Sequence, residues 1–335
     1  MSRRVVIAGA SGFIGRHLAE AYRAEGAIVS LVGRSGPDAR WGDTAAITAL
    51  LDGADLLINL AGKSVNCRYN AANRAEIMRS RVDTTRELAV AIAACAAPPP
   101  LWVNASTATI YRHAEDRPMT EATGEIGTGF SVGIATAWER ELFAADLPGT
   151  RRIALRMAIV LGDGGALVPL IRLARSGLGG AQLDGRWFAT RARLRAGTFH
   201  APRARGGRQR FSWIHIDDVR GIIRFLESQP EIDGVVNAAA PAATDNRGMM
   251  RTLRGTVGVP VGLPMPRWML ELGSLAIRSE TELVLKSRWV VPARMLEAGY
   301  RFEYPELHVA LREIVGERSP TGLETRNLPG ASANS

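Results

Sequence analysis

The sequence predicts an α/β fold: a doubly wound parallel sheet with a smaller, mostly helical C-terminal lobe. Three observations carry this. Short runs of β-branched and leucine residues alternate with helix-length segments over the first 160 residues, and parallel strands need such crossover connections. The first run leads into a glycine turn that opens a helix. Beyond residue 246 the text is mostly helical, broken by Pro and Gly, up to residue 315.

The elements follow in order. Arg4-Val5-Val6-Ile7-Ala8 is the first strand, residues 16–25 a helix closing at Gly26, and residues 27–32 the second strand. Asp55-Leu56-Leu57-Ile58-Asn59-Leu60 is a buried-type strand. Leu101-Trp102-Val103-Asn104-Ala105 is another, after the Pro98-Pro99-Pro100 loop and a long Ala-rich helix over residues 71–97. Residues 152–160 form a further strand. A helix over 167–176, a strand over 210–216, a helix over 217–228 and a strand over 234–238 complete the pattern. Asp217-Asp218 reads as the start of the last of these helices, with one carboxylate capping it.

Composition sets bounds on function. The chain has 335 residues, 46% hydrophobic and 22% charged, which is enough for a large core and too apolar for disorder. Cys67 and Cys95 are too few for a disulfide framework or a zinc site, which points to a reducing compartment. No run reaches the ~18–20 apolar residues that span a bilayer. Residues 1–4 lead straight into a strand, so no signal peptide is expected. The expectation is a soluble, cytoplasmic protein without membrane contact. The net charge of +9 is local: residues 181–210 hold eight arginines against Asp184, so this stretch supplies +7. Whole-molecule attraction to a polyanion does not follow.

The glycine turn is the strongest local signal. Gly9-Ala10-Ser11-Gly12-Phe13-Ile14-Gly15 places its glycines at three-residue spacing between a strand and a helix. The first glycine permits the tight turn, the second lets the backbone approach a pyrophosphate, and the third lets helix and sheet pack closely. The helix N-terminus offers free N–H groups to phosphate. This is a Rossmann-type dinucleotide site. Its second strand ends Val32-Gly33-Arg34-Ser35, without the carboxylate that would accept from the ribose of NAD. Arg34, with Ser35, suits a 2′-phosphate instead, so the expected cofactor is NADP. Gly62-Lys63-Ser64 mimics the end of a Walker A loop, but Leu57 stands where its first glycine is required.

These residues resemble the extended short-chain dehydrogenase/reductases, through the glycine turn and Asn59-Leu60-Ala61-Gly62. Ser80-Arg81-Val82-Asp83-Thr84-Thr85, Trp138-Glu139, Arg156 with Ile159-Val160-Leu161-Gly162, and Ser212-Trp213-Ile214-His215-Ile216-Asp217-Asp218 narrow the likeness. So do Asn237 with Ala240-Pro241, and Val291-Pro292 with Glu297-Ala298-Gly299-Tyr300-Arg301-Phe302. Together they are similar to the divergent nucleoside-diphosphate-sugar epimerase-like branch with a small C-terminal helical domain, over residues 5–315. The resemblance implies cofactor contacts from the glycine turn (Gly9, Ser11, Gly12, Phe13, Ile14, Gly15), Arg34, Ser35, Leu60, Ala61, Gly62 and Val160. It adds Glu76 and Arg81, for which an exposed helix face is an equal reading. It also implies a domain made of residues 1–165 with about 210–245, and a substrate lobe of about 166–209 with 246–316. Residues 317–335, polar and Pro/Gly-rich, are expected to fray.

The catalytic pattern then breaks. Active relatives hold the substrate oxygen with Ser/Thr and use a Tyr whose phenol is acidified by a Lys four residues on. Ser106 and Thr107 supply the first. Aligning on Trp138-Glu139 puts Ser131 and Ala135 where Tyr and Lys would stand, and no Tyr or Lys occurs between Arg112 and Glu139. Tyr111 is the first substitute acid/base, and His215 with Asp217 the second, although a His in an Ile-His-Ile setting is more often structural. The five histidines show no metal-binding spacing. Two functions remain: an NADP-dependent oxidoreductase or epimerase-like enzyme for a small, anionic or nucleotide-linked substrate, or a catalytically silent NADP(H)-binding regulatory or scaffold protein. The arginine-rich stretch 181–210 is read as a lid receiving an anionic substrate or as a basic surface loop, with nucleic-acid binding a distant third.

Overall fold

Val5, Val6, Ile7 and Ala8 are all but fully buried, as expected of a central strand covered on both faces. Their side chains alternate. Val5 and Ile7 pack with Leu18, Tyr22, Ile222 and Leu226 on one side of the sheet. Val6 and Ala8 pack with Ile47, Leu51, Leu88 and Ile92 on the other. Each fully buried aliphatic side chain contributes about 1.5–3 kcal/mol. These two layers form the bulk of the core.

A computed structural model describes residues 2–201, 204–276 and 280–316. The main sheet is built from β1 (Arg4–Ala8), β2 (Ile28–Gly33), β3 (Ala39–Arg40), β4 (Leu56–Asn59), β5 (Leu101–Thr107), β6 (Arg151–Met157) and, later in the chain, Gly234–Ala238. Between them run α1 (Phe13–Ala24), α2 (Thr44–Leu51), α3 (Ala71–Ala93) and α4 (Phe130–Ala144). The chain continues through β7 (Ile159–Leu161), α5 (Leu167–Arg175), α6 (Arg191–Arg195), β8 (Arg210–Phe211), β9 (Trp213–His215) and α7 (Ile216–Ser228). Gly234–Ala238 is thus β10, and β11 (Thr244–Asp245) follows. Then come α8 (Asn246–Thr256), α9 (Arg267–Ala276), α10 (Glu282–Leu285), α11 (Ala293–Glu297) and α12 (Leu307–Gly316).

The sheet order is β10-β6-β5-β4-β1-β2-β3, with every pairing parallel. The expected doubly wound architecture is therefore present. Strand order reverses direction between β1 and β4, and this switch point is where such sheets open a crevice for ligands. The glycine turn leaves β1 at that crevice.

Four expectations need correction. The strand read over 152–160 is two: Ala158 N–H still donates to Ala238 O of β10, but Ile159 N–H donates to Ser212 O, and β7 pairs with β9 in a separate small sheet. The strand read over 210–216 is also two, because Ser212 gives both its N–H and its hydroxyl to Arg288 O. The first helix starts at Phe13, inside the glycine turn rather than after it. Neither Asp217 nor Asp218 caps α7. His215 does, its Nδ1 accepting from Asp217 N–H at 3.2 Å, while buried Asp218 accepts from Glu303 N–H and Tyr304 N–H. The expected frayed tail, 317–335, lies outside the described residues.

Candidate functional site

The glycines of the turn are required for different reasons. Gly9 has φ of +81°, and a Cβ there would stand 2.7 Å from Ala61 N. A Cβ on Gly15 would stand 2.6 Å from Ala10 Cα. Both are imposed by protein packing. Gly12 is not: its φ is −77° and a Cβ would meet only Gly9 O, at 3.7 Å. Its open side faces the crevice, and no side chain caps α1 at this end. The turn therefore presents an uncovered backbone and free helix N–H groups, the surface a phosphate needs.

That surface is one wall of a cleft of about 320 Å³. Among the sequence-expected residues, Gly9, Gly12, Phe13, Ile14, Gly15, Leu60, Arg81, Ser106 and Thr107 line it. The loop after β4 is fixed from behind by a buried chain. Asn59 Oδ1 accepts from Ala61 N–H, Asn59 Nδ2 donates to Asn104 Oδ1 at 2.6 Å and to Thr85, and Trp138 Nε1 donates to Thr85. Gly62 leaves room for Arg81, whose Cζ would lie 3.0 Å from a Cβ there. Ser11, Arg34 and Ser35 are exposed beside the turn and the end of β2. Glu76 is paired with Lys63 and lies within electrostatic reach of Arg34. Ala61 is buried, and Val160 packs against the core, so neither lines the cleft; Met157 lines it instead.

Arg81 stands out electrostatically. Its Nη1 donates to Lys63 O and Ile77 O, both at 3.1 Å, and its guanidinium lies 5.0 Å from the Trp138 ring centre. Burial pushes its pKa down to about 10. Its partners are carbonyls and an indole, not a carboxylate, which leaves the charge available to an anion in the cleft.

Behind Ser106 runs a second buried chain. Ser106 Oγ donates to Glu139 Oε1 at 2.5 Å. Arg156 holds both oxygens of Glu139, at 2.7 and 2.6 Å, and donates to Tyr111 Oη at 2.9 Å. Tyr111 donates onward to Asn237 Oδ1. Tyr111 is therefore corrected as an acid/base candidate: it is 2% exposed, absent from the cleft wall, and its hydroxyl is held between Arg156 and Asn237. Thr107 Oγ1 accepts from Thr109 N–H, starting the turn after β5. His215 lines a second, polar cavity with His17 and Asp217. There its Nε2 donates to Glu313 at 2.9 Å, and burial lowers its pKa. It does not share the cleft of Ser106.

Sequence reasoning missed the far end of the cleft. Ser131 and Tyr69 line it, and Ser131 Oγ donates to Glu282 Oε2 at 3.1 Å. Lys286 Nζ donates to Thr109 O at 2.7 Å, and Arg288 Nε to Thr109 Oγ1 at 3.1 Å. Burial, reinforced by Arg288, pushes Lys286 down to about 8. The residues meeting here come from chain segments as far apart as 69 and 288, so no local motif marks them. The arginine-rich stretch does not line the cleft within its described residues. Arg193 pairs with Glu271 and Glu280, and Arg210 covers Trp289, while Arg186, Arg191 and Arg195 are exposed. No helix among the described residues is long and apolar enough to cross a membrane.

Fold and cleft together define a short-chain dehydrogenase/reductase-type protein with a dinucleotide crevice at the sheet's switch point. Residues 5–164 match the NAD dependent epimerase/dehydratase family, and residues 265–314 match a domain of unknown function, DUF1731. The chain is 34% identical over 321 residues to epimerase family protein SDR39U1 of Bos taurus, covering 93% of this chain and 99% of the relative. It is 28% identical to epimerase family protein YfhF of Bacillus subtilis, covering 94% and 98%. A crystal structure of human SDR39U1 (isoform 2) with NADPH superposes with a TM-score of 0.78 at 30% identity, covering 93% of this chain and 99% of that one. The chain belongs to this epimerase family, in the divergent branch with the extra C-terminal domain.

Proposed function

We propose that the chain is an NADP-dependent oxidoreductase or epimerase-like enzyme for a small, anionic or nucleotide-linked substrate. The observation that carries this is that the cleft brings together Gly12 and Arg81, a half-buried cation whose partners among the described residues include no carboxylate. Both call for an anionic group between them. The NADPH-bound human relative, alike over nearly its whole length, supports the choice of cofactor.

The residues fit that cofactor. The first N–H groups of α1 would meet the pyrophosphate, and Leu60 with the loop after it would flank the turn. Arg34 and Ser35 would hold the 2′-phosphate, at the end of a strand whose own residues, Ile28–Gly33, carry no carboxylate. Bound reduced nicotinamide supplies hydride. The protein's part is to orient the reacting oxygen from Ser106 and Thr107 and to exclude water from the cleft. The Ser106 hydroxyl donates its hydrogen bond to Glu139, so toward the cleft it can only accept, which suits a substrate hydroxyl. Thr107 Oγ1 accepts from Thr109 N–H and keeps its own proton, which it can donate to a carbonyl oxygen. Residues 1–165 with about 210–245 would form the cofactor unit, and about 166–209 with 246–316 the substrate lobe.

The test loads the protein with NADPH deuterated at the transferable position, adds a metabolite extract, and follows label by mass spectrometry. Protein-dependent label in a metabolite supports a reductase and identifies its substrate class. NADPH binding with no transfer would favour the silent binder.

A further inference from the structure

Tyr69 sits on the loop between β4 and α3, one residue before the Asn70 that caps α3. Its ring packs edge-to-face on Phe130, centres 4.9 Å apart, among Val65, Ile77 and Ile134. Its backbone N–H donates to Glu280 Oε1 at 3.1 Å, which ties the loop to the C-terminal segment. The residue is 7% exposed. Its phenol oxygen is buried, with the Ser131 hydroxyl as its side-chain neighbour. Tyr69 lines the same cleft as the glycine turn, Ser106 and Thr107.

We propose that Tyr69 is the proton-carrying catalytic residue of this site, donating to the substrate oxygen in place of the tyrosine that α4 lacks. The inference rests on the function proposed above. In the carbonyl-reducing direction the Tyr69 O–H bond breaks and its proton passes to the oxygen of the substrate carbonyl. The carbonyl carbon takes its electron pair as hydride from the nicotinamide class of reductant named there. The phenolate then recovers a proton from water. In the oxidising direction the same groups run backward.

The charges around the phenol suit this exchange. Arg81 on α3 and Arg288 after α10 lie within electrostatic reach and would stabilise a phenolate. Cys67 on the same loop, with Glu280 and Glu282 from the C-terminal segment, oppose it, while a hydrogen bond from Ser131 on α4 favours it. Burial dominates and pushes Tyr69 up to about 12, so the phenol is protonated at neutral pH, the form an acid must have. In relatives that keep both residues, Tyr and Lys sit on a single helix. Here the phenol and its cations would come from separate segments that converge beside Ser131, which lines the cleft.

The test uses the full chain carrying tyrosine labelled with carbon-13 at Cζ, which gives five tyrosine signals. The Tyr69 signal is the one lost in Tyr69→Phe, a change that keeps the ring on Phe130. Spectra are recorded alone, with NADPH and with NADP⁺, up to about pH 10, the ordinary tyrosine midpoint. The expected result is a Tyr69 signal that moves with either cofactor and begins to ionise below about pH 10 only with NADP⁺. Tyr69→Phe should bind NADPH with unchanged affinity and transfer label about 100-fold more slowly, or worse. A Tyr69 signal indifferent to bound cofactor, or a Tyr69→Phe protein that transfers label at the wild-type rate, overturns the proposal while leaving the cofactor site intact. No NADPH binding at all overturns both.

Discussion

Ser106 and Glu139 share a 2.5 Å hydrogen bond in which the serine hydroxyl donates away from the cleft. The carboxylate is anchored by two bonds from Arg156, so the wall of the cleft at Ser106 is rigid and its hydroxyl is committed. Glu139 and Arg156 are both buried. Removing one partner of such a pair leaves an uncompensated charge, and Glu139→Gln is expected to destabilise the fold by about 3–5 kcal/mol. Ser106→Ala keeps the ion pair and should cost about 1 kcal/mol. Urea denaturation of both variants checks the order; equal losses would contradict the account of Glu139.

The two glycines separate folding from binding. Gly15→Ala forces a Cβ to 2.6 Å from backbone and should lower the melting temperature. Gly12→Ala meets nothing closer than 3.7 Å and should melt like the wild type, yet lose NADPH affinity by about tenfold or more, since its methyl occupies the phosphate approach. Thermal melts with NADPH titrations check the pair. Unimpaired binding by Gly12→Ala would argue against phosphate at this turn.

Lys286 gives the stability an unusual pH dependence. Its folded pKa, near 8 because of burial and Arg288, is below the ordinary lysine value of about 10.4. Between about pH 8 and pH 10 the unfolded chain holds a proton that the folded chain has released, so this group makes stability rise with pH across that window. Below it both forms are protonated and the burial penalty is fully present. Lys286→Met should flatten the rise, read as urea midpoints at about pH 7.5 and about pH 9.5. A wild type and variant with parallel pH profiles would contradict it.

How much of this was legible in the sequence depended on the range of the interactions. The strand of Val5 to Ala8 and the glycine turn are local, and their patterns name them directly. The breaks at Ala158 and Ser212 are not local, because they are set by Ser212 and Arg288, more than 50 residues further on in each case. Asp218 looked like a cap beside its own helix, but its partners are Glu303 and Tyr304. Helix α4 escaped notice because apolar residues also stand on its outer side, where Phe143 is exposed, and mask the stripe of Ile134, Ala135, Trp138 and Leu142. The far end of the cleft, where Tyr69, Ser131, Glu282 and Arg288 meet, exists only once the C-terminal segment has docked.

The most direct measurement is calorimetric titration of NADPH and of NADH into the wild type and Arg34→Ala. The expected result is one site per chain, with NADPH bound about tenfold or more tighter than NADH. That preference should be lost in Arg34→Ala, whose exposed side chain the fold does not use for packing. Failure of the wild type to bind either nucleotide, or an NADPH preference that survives the loss of Arg34, would contradict the assignment.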